Sequence, residues 1–391
     1  MKENDVFNML FPNGWGVSIY NRANHIDIEV LADAGFKLAR TDMSWDRIET
    51  QKGKYDFVST GYDELNKSLL DKGIRPFYML GYSNALYEKK QSIVTEEGRK
   101  AFAKFVSVVT KRYSQQGVIW EIWNEPNIRY WDPQPSYEDY SRLVKEIALV
   151  IRKHDSSGTV VAPAVSGLHE ESVKWLEEFF KRDGLKHIDA ISVHPYRGEE
   201  PETVVEDYKK LRDLLAKYTS KKIHIISGEW GYAMEKLSDQ KLAERRQAEY
   251  LARMLLVNSW MDIPISIWYN LKNNGNDLEN REYNYGVVWN DLRHKMAFNA
   301  IDTLSSVLDG YKFAEKMKFG GSTDYILKFI NVKGQQAITF WTIGQEHHIN
   351  LRIPAGEGEL VSMLGKVDKV EWEDNKLNLN LTSSPSYLVI N

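Results

Sequence analysis

The stretch WEIWNEPN, Trp120 to Asn127, gathers three apolar residues, two acids and two amides around one proline. Its apolar part has the character of a buried strand, and that strand runs out on Asn124-Glu125-Pro126. An ionised side chain withdrawn from water costs on the order of several kcal/mol unless something pairs with it or uses it. A chain that ends a buried strand on a carboxylate therefore has a use for that carboxylate.

Outward from this stretch, short β-rich runs alternate with amphipathic helical patterns over three-quarters of the chain. The strand candidates are 15–20, 37–41, 75–81, 118–123, 159–165, 187–193, 223–228 and 263–269. Helical spacing covers segments such as 61–72, 96–113, 137–153, 172–182, 201–218, 239–259 and 293–308. Eight strand–helix repeats predict a parallel sheet, and eight strands close a (β/α)8 TIM barrel. An open doubly wound sheet would carry a Gly-rich phosphate loop after its first strand, and GVSIYNRAN offers none.

After about residue 310 the helical spacing stops. Alternating runs such as DYILKFINV, QQAITFWTI, KLNLNLT and SYLVI follow, separated by Gly, Asn, Asp and Pro. They predict a C-terminal β-sandwich, so the expected division is a barrel over 1–308 and an accessory domain over 309–391. Neither ITFWTI nor EWEDN offers an aromatic row, and the sandwich is expected to serve mainly as a packing partner.

Composition narrows the classes of function. A net charge of −4 over 391 residues, with no basic run, argues against nucleic acid as a partner. The absence of cysteine removes disulfides, thiolate metal sites and a thiol nucleophile. No apolar run is long enough to span a bilayer or to serve as a secretory leader, so the expectation is a cytoplasmic protein, or a secreted one whose leader lies outside this sequence. Twelve Trp and 21 Tyr supply flat faces of the kind that stack on sugar rings.

In a barrel, functional groups sit where the strands run out into the following loops. The second candidate strand ends in Arg40, with Asp42 and Trp45 beyond. The fourth ends in Asn124-Glu125, the sixth leads to His194 and Tyr196, the seventh to Glu229 and Trp230, and the eighth to Trp268 and Asn270. Two carboxylates converging from different sides of one barrel suit retaining glycoside hydrolysis, in which one protonates the leaving oxygen and the other attacks the anomeric carbon. Arg40 and the Tyr196 hydroxyl are expected to hold Glu229 ionised, and Glu125 to stay protonated because it shares the site with that anion and lies among aromatics. Asn124 is placed to hydrogen-bond a sugar hydroxyl, and Trp45, Trp131, Trp230 and Trp268 to offer stacking faces.

WNEPN, HPY, GEWG and the Trp that ends the eighth strand resemble clan A of the glycoside hydrolases, with families 5 and 39, the cellulase-like enzymes and β-xylosidases, nearest. The resemblance covers about 14–308, where GVVWNDLRHKMAFNAI is similar to the segment these enzymes use to enter their last helix. It implies Glu125 as acid/base, Glu229 as nucleophile, and Arg40, Asn124, His194, Tyr196 and Trp268 around them; a sandwich beside the barrel is a family 39 habit. SGEWGYA lacks the Thr-Glu-Trp-Asn of β-xylosidases. The third strand also lacks the His that family 5 often places there, leaving Tyr82 or Asn84 to fill that position.

Blander readings stand beside these. Glu121, with the parity of Glu125 and about 13 Å deeper, suits a structural ion pair inside the barrel. Asp42 and Asp46 suit loop fixing, Trp15, Trp175 and Trp260 packing, and His347-His348 a surface pair. The strand ends carry no Lys for a Schiff base and no metal-ligand cluster, so no cofactor or metal is expected. The expected function is a retaining β-glycosidase acting on β-linked oligo- or polysaccharide; the alternative is a non-catalytic carbohydrate-binding protein on the same barrel.

Overall fold

A computed structural model describes residues 6–20 and 24–390; part of GVSIYNRAN, residues 21–23, lies outside that range. The barrel strands are β1 (Trp15–Ser18), β2 (Leu38–Ser44), β3 (Arg75–Gly81), β4 (Ile119–Ile122) and β5 (Thr159–Val161), then the short β6 (Val165–Ser166), β7 (Ala190–His194), β8 (His224–Trp230) and β9 (Ser266–Trp268). They pair in parallel in the order β5-β4-β3-β2-β1-β9-β8-β7-β6, and a β5–β7 pairing closes the ring. The expected barrel is borne out, with the fifth candidate strand split into β5 and β6.

The helices follow from their spacing and caps. Asn24 caps α1 (His25–Asp33) in a capping box with Asp27, a helix absent from the sequence expectations because its apolar stripe is weak. Thr95 and Ser136 cap the helices Glu96–Arg112 and Tyr137–His154, whose acidic first turns and basic last turns complement the helix dipole. No helix among the described residues is long and apolar enough to cross a membrane.

Alternation along the strands sorts side chains between the barrel interior and the helical layer. Leu38, Phe77, Ile119, Val161, Ala190, Ile226, Ile265 and Ile267 form one interior cluster. Val6 belongs to it, and Phe7 and Met9 pack against it. The next residues of like parity include the polar Arg40 on β2, Glu121 on β4 and Ser192 on β7, all buried. The interior is thus greasy below and charged above.

After the helix Met296–Val307, strands β10 (Tyr311–Lys316), β11 (Asp324–Asn331), β12 (Gln336–Thr342), β14 (Gly356–Ser362), β15 (Val367–Trp372) and β17 (Ser386–Ile390) make an antiparallel sheet. β13 (His347–Leu351) and β16 (Leu377–Leu381) form a separate two-stranded layer. Both faces of the larger sheet are covered. Ile326, Ile338, Phe340 and Leu388 pack with Leu351, Leu379 and Leu381 in the sandwich core. Their neighbours in sequence, Tyr325, Leu327, Ala337, Trp341 and Tyr387, join the core cluster of the barrel. The Trp341 indole also donates to Glu202 at 2.7 Å, and Glu202 pairs at 2.6 Å with Arg253 of the helix Gln240–Trp260.

This continuous core makes the sandwich a support for the barrel. Trp341→Ala is expected to destabilise the whole protein by about 3–5 kcal/mol, read as a shift of a single unfolding transition in urea. A separate early transition for the sandwich, with the barrel unaffected, would contradict it.

Candidate active site

Arg40 organises the upper interior. Its guanidinium donates from Nε to Glu121 Oε2 at 2.8 Å, from Nη2 to Asn124 Oδ1 at 2.8 Å and from Nη1 to Glu229 Oε2 at 2.5 Å. The ion pair expected at Glu121 is therefore present. Arg40 is 4 % exposed and Glu121 fully buried, so each offsets the desolvation of the other. Tyr196 donates its hydroxyl to the second oxygen of Glu229 at 2.9 Å.

Local backbone irregularities aim the two carboxylates. On β8, Ile226 and Gly228 face the interior, so strict alternation would turn Glu229 outward. The β8–β9 register shifts between Ser227 and Trp230, and Glu229 lines the cleft instead. A Cβ on Gly228 would stand 2.0 Å from Ser192 Oγ and 3.0 Å from Glu121 Oε1, so only glycine fits before Glu229. On the other wall, Trp123 and Glu125 take left-handed φ of 69° and 45°. Such strain in non-glycine residues concentrates at functional sites. It brings Asn124 and Glu125 together onto the cleft wall.

An oxygen of Glu125, an oxygen of Glu229 and a ring nitrogen of His194 all lie within 4.8 Å of one another. His194 Nδ1 is 3.0 Å from Glu125 Oε1. Burial pushes the His194 pKa down to about 4, so its ring is neutral and can meet Glu125 as donor or acceptor. Burial also raises the Glu125 carboxyl above its usual range, against the opposing pull of Ser166, Arg40 and Arg129. The direction is the expected one; of the two expected causes, burial leads and the neighbouring anion is not among those acting. This triad has the spacing to grip a cation, yet the guanidinium bonded to Glu229 opposes a second positive charge there.

The cleft encloses roughly 490 Å³, in the range of small-ligand sites. Its lining includes Arg40, Asn124, Glu125, Tyr196 and Glu229 together with Asp42, Arg129, Ser166, Arg281 and Glu282. A neighbouring hollow of roughly 400 Å³ shares Arg281 with it but contains neither Glu125 nor Glu229.

The tryptophans expected on the cleft wall are elsewhere. Trp45, Trp131, Trp230 and Trp268 are at most 1 % exposed and belong to the barrel–helix core. Ile265 and Ile267 fix the interior parity of β9, so Trp268 faces outward, its indole donating to the Tyr285 carbonyl at 3.1 Å. The register shift that turns Glu229 inward turns Trp230 outward, beneath the Arg197 guanidinium. Trp45 stacks on Tyr87 and bonds Glu49, and Trp131 packs edge-on against Trp123. Asn270 is also buried, donating to the Tyr20 hydroxyl at 3.0 Å, and it braces the wall without lining it.

Tyrosines supply the aromatic faces: Tyr20, Tyr82, Tyr130, Tyr196, Tyr269 and Tyr285. Parity could have identified Tyr269, two residues beyond Ile267. Tyr82 takes the position after β3, while Asn84 bonds the Glu49 carbonyl and fixes the loop. The segment after β9 walls one side through Arg281, Glu282 and Tyr285. Beneath that wall, burial brings the Lys295 pKa down to about 7, and its amine donates to Asn273 at 2.7 Å.

A family model described as cellulase (glycosyl hydrolase family 5) matches residues 4–274. The chain belongs to this family. The expected relationship to clan A is thereby borne out. Among curated relatives, a β-xylosidase of Caldicellulosiruptor saccharolyticus is 26 % identical over 159 residues, 37 % of this chain and 32 % of that protein. A β-xylosidase of Geobacillus stearothermophilus is 25 % identical over 238 residues, 51 % of this chain and 45 % of the relative. The chain thus spans less than half the length of either of these curated relatives. A solved family 39 glycoside hydrolase from Bacteroides cellulosilyticus WH2 superposes with a TM-score of 0.83 at 24 % identity, covering 97 % of this chain and 81 % of that one. At that identity the likeness is one of fold.

Arg40→Met would leave Glu121 buried without its cation, at an expected cost of about 3–5 kcal/mol. Arg40→Met combined with Glu121→Leu should recover part of that loss in urea unfolding. Additive losses would mean that the two side chains do not support each other.

Proposed function

We propose that this chain is a retaining β-glycosidase acting on β-linked oligo- or polysaccharide. The observation that carries the reading is the approach of Glu125 and Glu229 oxygens to within 4.8 Å of each other. Retaining enzymes hold their two carboxyl groups roughly 5–5.5 Å apart, whereas inverting enzymes leave about 6.5–9.5 Å for a water.

In the first step Glu229 attacks the anomeric carbon. The bond from that carbon to the glycosidic oxygen breaks, and Glu125 gives its proton to the departing oxygen. A glycosyl ester on Glu229 and an ionised Glu125 remain. In the second step Glu125 takes a proton from water, the water oxygen attacks the anomeric carbon, and Glu229 leaves as a carboxylate. Arg40 and Tyr196 keep the attacking oxygens of Glu229 oriented. The burial that raises Glu125 suits the acid role, and His194 can follow each change in its protonation by switching tautomer.

A screen of aryl β-glycosides beside glucans, xylans and mannans finds the substrate. A 2-fluoro glycoside should then form a covalent adduct on Glu229, located by peptide mass spectrometry; an adduct on another residue overturns the assignment. Glu229→Ala should be inactive until azide supplies a substitute nucleophile. Because Glu125 must be protonated in the first step, kcat/KM should fall as pH rises through its raised pKa. Glu125→Gln should lose that alkaline limb, along with about 10²–10⁴-fold in rate on poor leaving groups.

A further inference from the structure

Asp42 is the next inward residue on β2 after Leu38 and Arg40, about 7 Å above Arg40 at the strand rise. Its backbone is fixed, because the carbonyl accepts from the Tyr62 hydroxyl at 2.9 Å. Its carboxylate lines the cleft and makes no hydrogen bond or ion pair with the described residues. Of the other acids nearby, all but the exposed Glu282 are engaged. Glu121 and Glu229 are held by Arg40, and Glu125 by His194. Glu49, beyond the strand end, accepts from Trp45, Gly53 and Tyr87. A loop-fixing acid looks like Glu49; Asp42 does not.

Strand geometry locates it: Asp42 is one inward position beyond Arg40, whose guanidinium bonds Glu229, so it stands near the group that attacks, where the sugar donating its anomeric carbon must lie. The charged and titratable groups around it are Arg40 on its own strand, Glu229 on β8, Tyr82 after β3 and Tyr62.

We propose that Asp42 determines specificity in this sugar pocket, accepting hydrogen bonds from two hydroxyls of a neutral glycone and excluding glycones that carry a carboxylate. The inference rests on the glycosidase reading above. A carboxylate has two oxygens and about four lone-pair sites, enough for two hydroxyls at once. Left alone in a cleft it is poorly solvated, so a partner with donors is favoured and a second anion is repelled. Burial, aided by Glu229 and opposed by Arg40, brings its pKa up to about 6, so it is ionised at neutral pH.

The test compares wild type and Asp42→Asn on the best aryl glycoside from the screen, on its monodeoxy analogues and on its uronide counterpart. Wild type should lose about 10–100-fold in kcat/KM for each of two missing hydroxyls and should leave the uronide uncleaved. Asp42→Asn should lose a similar factor on the parent, cease to distinguish it from those two analogues, and narrow the gap to the uronide. Calorimetry of the free product sugar with wild type gives a reading without a variant. Its affinity should fall as pH drops through about 6, and that fall should be smaller for each of the two monodeoxy analogues, which keep one of the two hydroxyls. Cleavage by wild type with unchanged discrimination in Asp42→Asn, or an undiminished pH dependence for the deoxy sugars, overturns this inference alone. No cleavage of any glycoside by wild type removes the glycosidase reading and this one with it.

Discussion

The structure depends on one buried cation. Arg40 reaches Glu121 below it and Asn124 and Glu229 above it, linking strands β2, β4 and β8 through a single planar group. A lysine could offer charge but not three donors fixed in one plane. Without Arg40, Glu121 would be an uncompensated anion in a closed interior, and Glu229 would keep only the Tyr196 hydroxyl. Stability and the aim of the cleft therefore share a residue. The cost of burying Arg40 among acids is met by the same contacts that orient the proposed nucleophile.

Much of this was legible in the sequence, for identifiable reasons. The barrel could be read because eight apolar runs punctuate seven long helical patterns, and period alone separates the two. Arg40, Asn124, Glu125, Tyr196 and Glu229 could be read because strand ends are where a parallel barrel presents its polar groups. The tryptophans could not. Whether Trp268 or Tyr269 meets the cleft turns on the parity of a three-residue strand, and whether Glu229 or Trp230 does turns on a register shift next to a glycine. A slip of one residue exchanges the two faces, and the sequence does not mark where it falls. Asp42 was hidden for a related reason: β2 continues to Ser44, so what looked like loop is strand, with a fixed side-chain direction.

The C-terminal sheet shows the same period doing double duty. Along β11, Tyr325 and Leu327 meet the barrel while Ile326 meets the sandwich core. The central strands β11 and β12 are therefore buried on both faces, while the outer strands β10 and β15 keep exposed positions. That is the physical basis for regarding the sheet as part of the barrel's support.

The N-terminal segment gives the interior its direction. Val6 sits in the lower apolar cluster with Phe7 and Met9 against it, and Phe7 stacks on His224 at 4.3 Å. These residues stopper the far end of the barrel. The tube is a blind well, not a conduit: its charged layer communicates with bulk solvent from one side. Once a ligand fills that mouth, Arg40 and the acids around it are sealed in a weakly polarisable chamber, where their fields act on the ligand with little water left to screen them.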